Sequence, residues 1–252
     1  MNIKIENVSL QYGNFTALNN ISFEIKEKKI YGLLGRNGAG KTSLLSLLAS
    51  FRKPTTGTIT INGEEPFENG KVMENVLFMY NKDYSEESDN VKNVLEGVMR
   101  YRPNFDMEYA NYLVQQFQLD TKKPIKKFSK GMQSALNVTI GLAARVPITI
   151  LDEVYLGMDA PARDLFYKEL LKEQERFPRI FILSTHLVSE MDYLFDEVII
   201  IHNGKIMLKE AYDSFVSKGV TITGKGAIVD SFAKGKNVIH VEKLGPTKSV
   251  MI

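Results

Sequence analysis

The stretch that decides the fold reads Gly35-Arg36-Asn37-Gly38-Ala39-Gly40-Lys41-Thr42, a complete G-x-x-x-x-G-K-T phosphate loop. It follows an apolar run at residues 30–34 and precedes residues 43–49, whose leucines have helical spacing. Such a loop needs a strand before it and a helix after it. The backbone N–H groups of the loop point inward and bind the anion, and the N-terminus of the following helix adds its positive dipole. The alternative, a glycine-rich turn with an incidental lysine, is disfavoured in this context. The sequence therefore predicts nucleoside triphosphate binding.

The residue types in the loop suit particular parts of that ligand. Lys41 would reach the β- and γ-phosphates, and the Thr42 hydroxyl would contact Mg²⁺. Backbone N–H groups along the loop and in the first helical turn would bind the phosphates. The residues expected to contact the nucleotide here are Gly35, Asn37, Gly38, Ala39, Gly40, Lys41, Thr42 and Ser43.

Two acids, Asp152 and Glu153, follow the apolar residues 148–151. In an open α/β sheet, functional groups lie at the carboxyl ends of the strands. Asp152 suits a Mg²⁺ ligand, directly or through water, and Glu153, which points elsewhere, suits activation of an attacking water. A strand that merely ends in two solvated carboxylates is the alternative, and the upstream phosphate loop disfavours it.

The hydrophobic pattern predicts an α/β fold. Apolar residues alternate as in strands near the N-terminus, and Asn62-Gly63 is a hairpin signal. From about 83 to 145 they take helical spacing, and beyond 146 strands alternate with helices, which is typical of a parallel sheet. We expect a nucleotide-binding domain over 1–210, interrupted by a helical block at about 83–145, and a small accessory segment over 211–252.

Composition narrows the function classes. The 32 Lys and Arg nearly balance the 30 Asp and Glu, and the net charge of +2 gives no argument for binding nucleic acid. The absence of Cys excludes disulfides and Cys-ligated metals and agrees with a reducing compartment. The first residues alternate like a strand instead of resembling a signal peptide, and no apolar run approaches the roughly 20 residues that span a bilayer. A role at a membrane would therefore need another chain.

Three shorter motifs follow the loop in a fixed order: FSKGMQ at residues 128–133, LDEVYLGMD at residues 151–159 and STH at residues 184–186. With these motifs the chain, from Tyr12 to His186, resembles the ATP-binding cassette (ABC) ATPases, the motor subunits of ABC transporters. The first resembles the signature motif of that family, the second the Walker B motif with its D-loop, and the third the switch-histidine motif. Each motif is weak alone, but their order and spacing together are highly specific.

The resemblance implies an ABC-type P-loop NTPase: an α/β core, an antiparallel β subdomain and an inserted α-helical subdomain. It implies ATP and Mg²⁺ as cofactors, with Glu153 and His186 as catalytic residues. Three further roles come from the resemblance alone. Tyr12 would stack on adenine, the signature residues Ser129 and Gly131 would close on a nucleotide, and Asp159 would be the D-loop aspartate.

Two positions depart from the family pattern. The family expects Gln at the end of the strand that leads into the helical block, where residues 76–81 put Asn81. Asn has the same amide oxygen on a shorter stem, so either Asn81 contacts Mg²⁺ or the alignment slips and no residue has that role. Val154 replaces the usual Pro, which should alter the stiffness of the turn without removing a catalytic group.

The resemblance also implies partners. Two cassettes, identical or different, would pack head to tail on a separate integral membrane permease, at the cytoplasmic face of the cell membrane. The sequence looks most like export-type subunits, a group that includes the phenol-soluble modulin peptide exporters. The alternative is an ABC ATPase of DNA repair or translation. Those proteins carry coiled-coil insertions or two fused cassettes, whereas this sequence has no heptad run and one cassette. Nucleic acid is not expected as a partner.

The C-terminal residues 211–252 have weaker patterns. Residues 212–216 predict a short helix, and residues 220–222, 238–241 and 249–252 predict short strands separated by glycines. We expect a small subdomain that covers the core, with dimerisation or regulation as the alternatives. The apolar end leaves open whether the natural chain continues past Ile252.

Overall fold

The computed structural model describes residues 1–219, 221–236 and 238–251. The chain divides into two compact units, Met1–Lys209 and Glu210–Ile252. The domain boundary expected between 210 and 211 stays a prediction of the sequence.

Two sheets are built from the first nine strands of the described chain. These are β1 (Ile3–Tyr12), β2 (Phe15–Ile25), β3 (Ile30–Leu34), β4 (Thr56–Ile61), β5 (Val76–Tyr80), β6 (Ile148–Asp152), β7 (Ile180–Thr185), β8 (Glu197–His202) and β9 (Lys205–Ala211). The larger sheet has the order β5-β6-β7-β3-β8-β9, and its first five strands pair in parallel. β3, β6 and β7 are buried along their whole length, as expected for parallel strands covered on both faces.

The smaller sheet has the antiparallel order β2-β1-β4. Ile3 pairs with Ile25 on one side and with Ile61 on the other, so the alternating isoleucines fall on the same face. That face belongs to the same core cluster as Leu44 and Leu45 of the first helix. Burial of each such side chain stabilises the fold by about 1.5–3 kcal/mol.

The helices of the first unit include the predicted helical block. They are α1 (Lys41–Leu48), α2 (Gly70–Met73), α3 (Val91–Tyr101), α4 (Met107–Gln116), α5 (Lys130–Ala143), α6 (Ala160–Arg176) and α7 (Val188–Met191). The block consists of α3, α4 and α5, and each begins where the side chain of Asn90, Asp106 or Ser129 accepts a backbone N–H of the first turn. The predicted parallel α/β core, antiparallel sheet and inserted helical region are confirmed. α2 was not predicted.

No helix in the described ranges is both long enough and apolar enough to cross a membrane.

The second unit contains a small sheet with the order β10-β12-β11. Its elements are α8 (Tyr212–Val216), β10 (Thr221–Lys225), α9 (Gly226–Ala233), β11 (His240–Leu244) and β12 (Thr247–Met251). Val229 of α9 and Val250 of β12 are buried. The short helix and three short strands lie close to their predicted positions, whereas α9 was missed. Val220 and Ile252, which the sequence assigned to strands, lie outside the described residues.

Candidate nucleotide-binding site

The phosphate loop connects β3 to α1 as predicted. Its backbone turns at Gly40, where φ is +111°, and a Cβ there would lie 2.9 Å from the carbonyl oxygen of Ala17, so only glycine fits without strain. Gly40 precedes α1, and no side chain caps the helix. The first-turn N–H groups of α1 therefore have no side-chain acceptor and are oriented to bind an anion.

Lys41 is the buried cation of the loop, with 6% of its side chain exposed. Its Nζ donates to the carbonyl oxygens of Gly35 at 2.8 Å and Arg36 at 3.4 Å. The same Nζ lies 3.4 Å from Glu153 Oε1. The lysine is thus held between the loop and the predicted catalytic acid.

Asp152 joins the loop to the sheet. Thr42 Oγ1 donates to Asp152 Oδ2 at 2.8 Å, and the Ser184 hydroxyl donates to Oδ1 of the same carboxylate. Ser184 reaches Asp152 because the two residues are paired in the β6–β7 register. The sequence placed Ser184 in the switch motif without a role, and only strand pairing could have identified this contact. Thr42 and Asp152 supply adjacent oxygen atoms, the ligand type that Mg²⁺ prefers.

The two predicted catalytic residues are in contact. His186 Nδ1 lies 3.0 Å from Glu153 Oε1, and both side chains are partly exposed. Glu153 has a φ of +50°, an uncommon backbone conformation for a non-glycine residue. The strand ends at Asp152, and this turn directs the next carboxylate towards Lys41 and His186.

A buried tyrosine supports the switch-histidine motif, residues 184–186. The hydroxyls of Tyr155 and Thr185 form a 2.6 Å hydrogen bond, and Thr185 Oγ1 also accepts the backbone N–H of Leu187 at 2.9 Å. Burial raises the pKa of Tyr155 above its ordinary value, so the phenol stays neutral. These bonds fix the backbone on both sides of His186. Sequence reasoning missed Tyr155 because its partner lies 30 residues away.

Two cavities flank the phosphate loop. The smaller, about 240 Å³, has Lys41, Thr42 and Glu153 in its wall together with Phe15. The larger, about 530 Å³, is lined by residues 36–39 of the loop with His186, His202 and Asn203. Phe15, His202 and Asn203 were not predicted. They lie at the start of β2, at the end of β8 and directly after β8, away from the loop in sequence.

Tyr12, the predicted adenine contact, is near the loop but in neither cavity wall. Its hydroxyl donates to Ser43 Oγ at 3.4 Å, and the Arg52 guanidinium lies 4.8 Å from its ring centroid. Phe15 is the aromatic residue in the wall and is 62% exposed. Tyr12 is 36% exposed and has the Arg52 guanidinium over its ring, so Phe15 is the more open of the two rings.

The signature and D-loop residues lie apart from these cavities. Ser129 caps α5 by accepting the N–H of Met132 at 3.3 Å, and Asp159 caps α6 by accepting that of Ala162 at 2.9 Å. At Gly131 a Cβ would lie 2.6 Å from the carbonyl oxygen of Gly157, so the signature turn packs against the D-loop. None of these residues lines the cavities around the phosphate loop of their own chain.

Asn81 follows β5, whose last residue, Tyr80, pairs with Asp152. The backbone thus puts Asn81 at the sheet edge that carries Asp152, and its side chain is exposed. The segment is tied to α5, because Asn137 donates to the Tyr80 carbonyl at 3.0 Å and accepts from the Tyr84 hydroxyl. The Mg²⁺ contact of Asn81 stays a prediction.

Comparisons with known proteins agree with this geometry. The sequence model of the family described as ABC transporter matches residues 18–155. The lantibiotic transport ATP-binding protein SrtF of Streptococcus pyogenes is 31% identical over 84% of this chain and 91% of its own length. The bacitracin transport ATP-binding protein BcrA of Bacillus licheniformis is 33% identical over 84% of this chain and 70% of its own length.

A solved structure has the same fold. It is a dimeric ATP-binding cassette in a post-hydrolysis state, bound to ADP and Pi, and it matches 83% of this chain and 98% of its own chain with a TM-score of 0.70. The two sequences are 19% identical, and this likeness bears on the fold alone.

Proposed function

Because the chain belongs to the ABC transporter family, we propose that it is the ATP-hydrolysing subunit of a transporter whose membrane-spanning permease is a separate chain. The observation that carries the proposal is the cluster of Lys41, Asp152, Glu153 and His186 around one phosphate loop. This cluster combines groups for binding phosphate, holding a cation and activating water.

The family match confirms the predicted recognition, ABC-type fold and ATPase activity. The relatives with 31% and 33% identity are transport ATP-binding proteins, which favours transport over the alternatives of DNA repair or translation.

The residues of the site fit MgATP. The first-turn N–H groups of α1 suit the phosphates, and Thr42 with Asp152 suits Mg²⁺. When bound, Mg²⁺ would neutralise charge on the phosphate oxygens. Lys41 would bind the terminal phosphates by exchanging one of its present contacts for a phosphate oxygen.

Glu153 would accept the proton of the attacking water. His186, 3.0 Å from the carboxylate, would orient Glu153 and sense whether the site is filled. Tyr155 would act as a positioning residue through Thr185, because it fixes the backbone next to the histidine.

We propose head-to-tail pairing with a second cassette. Ser129, Gly131 and Asp159 lie outside the cavities of their own chain, which supports a role across an interface. The signature of one chain would then close over the nucleotide held by the other. ATP would favour the closed pair and hydrolysis would release it. The fold relative described as dimeric supports this assembly.

The permease would dock near the start of the helical block. Phe78 and Tyr80 of β5 form an aromatic cluster with Phe51, with ring centroids 5.1–6.1 Å apart. Phe51 is 58% exposed and Tyr80 38% exposed. Aromatic residues in such a patch are typical of protein interfaces. Tyr80 directly precedes Asn81, and its carbonyl accepts a hydrogen bond from Asn137 of α5. A movement of Asn81 or of α5 during the ATPase cycle would therefore be transmitted through Tyr80 to the permease.

Docking to a permease would put the chain at the cytoplasmic face of the cell membrane. Two relatives are described as lantibiotic and bacitracin transport proteins, and we therefore propose export of a peptide-like substrate.

Copurification from detergent-solubilised membranes tests the function. An integral membrane chain should be recovered with the wild type and with Lys41→Ala, because docking does not need the phosphate loop. The change Phe51→Ser with Tyr80→Ser should lose it. Tyr193→Ser, which alters an aromatic residue 56% exposed elsewhere, is the matched control. Recovery of ribosomes or DNA instead of a membrane chain would refute the transporter assignment.

A further inference from the structure

A third cavity lies at the opposite edge of the large sheet. Its volume is about 560 Å³, and its wall includes Pro147 and Arg179, which directly precede β6 and β7. β6 begins directly after this wall and ends at Asp152, the proposed Mg²⁺ ligand; at about 3.3 Å per residue the strand is about 13 Å long. No wall residue is shared with the two cavities at the phosphate loop. We call it the basal cavity; its polar and aromatic wall consists of Lys28, Asn104, Arg145, Arg176, Phe177 and Arg179.

The basal cavity is cationic. Four of its wall residues are Lys or Arg, and none of the described residues in its wall is acidic. Glu173, behind the wall, holds two of the four: its Oε1 accepts from Arg145 Nε at 3.0 Å and from Arg179 Nη1 at 3.1 Å. Arg145 is also paired with Asp106 at 2.6 Å. The acids therefore fix these guanidiniums in place from outside the cavity.

Arg179 is buried, and not every one of its N–H groups has a hydrogen-bond partner among the described residues. Its side chain is 4% exposed, and Nη2 donates to the Leu142 carbonyl oxygen at 2.8 Å. Its Nε is buried and has no hydrogen-bond partner among the described residues. This Nε is covered by protein atoms, so Arg179 contributes its positive charge to the cavity wall while Nη1 and Nη2 stay bonded to the protein.

The other two cations are available to a ligand. Within the described ranges, neither Lys28 nor Arg176 has a carboxylate within 4.0 Å, and both side chains are exposed. Phe177 holds the Arg145 guanidinium 3.5 Å from its ring centroid, which limits the motion of that cation. The cavity thus combines two guanidiniums held by carboxylates with two exposed positive charges.

We propose that the basal cavity binds a small phosphorylated metabolite. Guanidinium groups match phosphate in bidentate geometry, and a phosphate monoester carries nearly two charges at neutral pH. The volume exceeds that of inorganic phosphate and lies in the range of small-molecule sites, about 300–1,000 Å³. The ligand would contact the elements on which the catalytic residues depend, because α5 and α6 end here and β6 and β7 begin here.

Calorimetric titration of the full chain tests the proposal. The phosphate loop is first saturated with MgADP, and fructose 1,6-bisphosphate is then added as the probe. We expect one additional saturable site per chain. Lys28→Gln with Arg176→Gln should weaken its binding by about tenfold or more, since each change removes a charged contact. Both residues are exposed, and the variant should fold normally.

The matched control is Lys26→Gln with Lys168→Gln, which removes the same charge from nearby positions outside the cavity wall. It should change affinity by less than about twofold. An equal loss in the control would overturn the site in favour of a general charge effect. Equal affinity for tricarballylate, a carboxylate of similar charge, would overturn the phosphate class. Failure of both the bisphosphate and inorganic phosphate to bind would overturn the proposal.

Discussion

The two edges of the large sheet, at the carboxyl ends and at the amino ends of its strands, carry charged residues in different surroundings. At the carboxyl ends of the strands, Glu153 and His186 are 22% and 33% exposed, and their contacts with Lys41 and each other can be exchanged for a ligand. At the amino ends, Glu173 and Arg179 are 0% and 4% exposed and form a buried ion pair. Charge alone therefore does not mark a catalytic group: the two edges differ in the exposure of their charged side chains and in whether a ligand can replace their partners.

Because of this difference, substitutions at the two edges should have distinguishable effects. Substitutions at the carboxyl edge should remove activity and leave the fold, because solvent and neighbouring groups can compensate there. Substitutions in the buried network should remove stability, because breaking one partner leaves a desolvated charge.

The largest effect is expected at Lys41. Lys41→Ala should abolish hydrolysis and weaken ATP binding at least about tenfold, because a charge-assisted contact with phosphate is worth about 1.5–3 kcal/mol or more. Turnover and nucleotide titration check this, and Lys53→Ala, at an exposed surface ion pair, is the control. Near-normal ATPase activity in Lys41→Ala would end the phosphate-loop interpretation.

The corresponding change at the amino edge is Glu173→Gln. It leaves Arg145 and Arg179 without their shared carboxylate and should lower the free energy of unfolding by about 3–5 kcal/mol. Urea denaturation measures this loss, while turnover per folded molecule should persist. Asp164→Asn, at an exposed pair, should cost less than about 0.5 kcal/mol. Unchanged stability with lost turnover would reverse the assignment of the two edges.

A smaller effect is expected at the base of the nucleotide. Tyr12→Ala should raise the dissociation constant of ATP, since aromatic stacking on a base is worth about 1–3 kcal/mol, whereas Tyr12→Phe keeps the ring and should change it little. Phe15→Ala sharpens the test, because Phe15 is the ring in the cavity wall. A greater loss in Phe15→Ala than in Tyr12→Ala would move the stacking contact to Phe15.

The smallest effect is expected at Asn81. If its amide oxygen helps to place Mg²⁺, Asn81→Ala should reduce turnover by up to about tenfold and spare ATP affinity. Asn81→Gln, which restores the family residue, should be tolerated. Steady-state kinetics at varied Mg²⁺ measure both variants. Unchanged turnover in Asn81→Ala would mean that another residue, or none, has this role.

Local patterns predicted the parts of the site that are continuous in sequence. The glycine spacing of the loop predicted the turn before α1, and the acids at the end of an apolar run predicted the end of β6 at Asp152. The helical block was visible as a change of hydrophobic period. The ABC family assignment came from the order of several short motifs, and it is confirmed.

Contacts between distant segments could not be predicted in this way. The Ser184–Asp152 hydrogen bond depends on strand register, and the Tyr155–Thr185 bond depends on how two loops meet. The basal cavity takes its four cations from three separate regions, near residues 28, 145 and 176–179. None of these segments has a local motif that would distinguish a ligand site from a solvated surface.

The most direct test of the account is sedimentation velocity of Glu153→Gln with ATP and Mg²⁺. This change preserves the shape of Glu153 and removes the charge that draws the proton from water, so ATP should persist between two chains. The matched variants add Ser129→Arg, which puts a bulky cation at the signature, or Thr121→Arg, which puts it at an exposed position elsewhere in the helical region.

Glu153→Gln should form a dimer with ATP, and this dimer should dissociate with ADP. Ser129→Arg should abolish this dimer although each chain still binds ATP, and Thr121→Arg should leave it intact. Wild-type protein should be mostly monomeric, since hydrolysis releases the pair. A dimer that is indifferent to nucleotide, or that survives Ser129→Arg, would contradict the head-to-tail arrangement and point to an interface in the C-terminal segment.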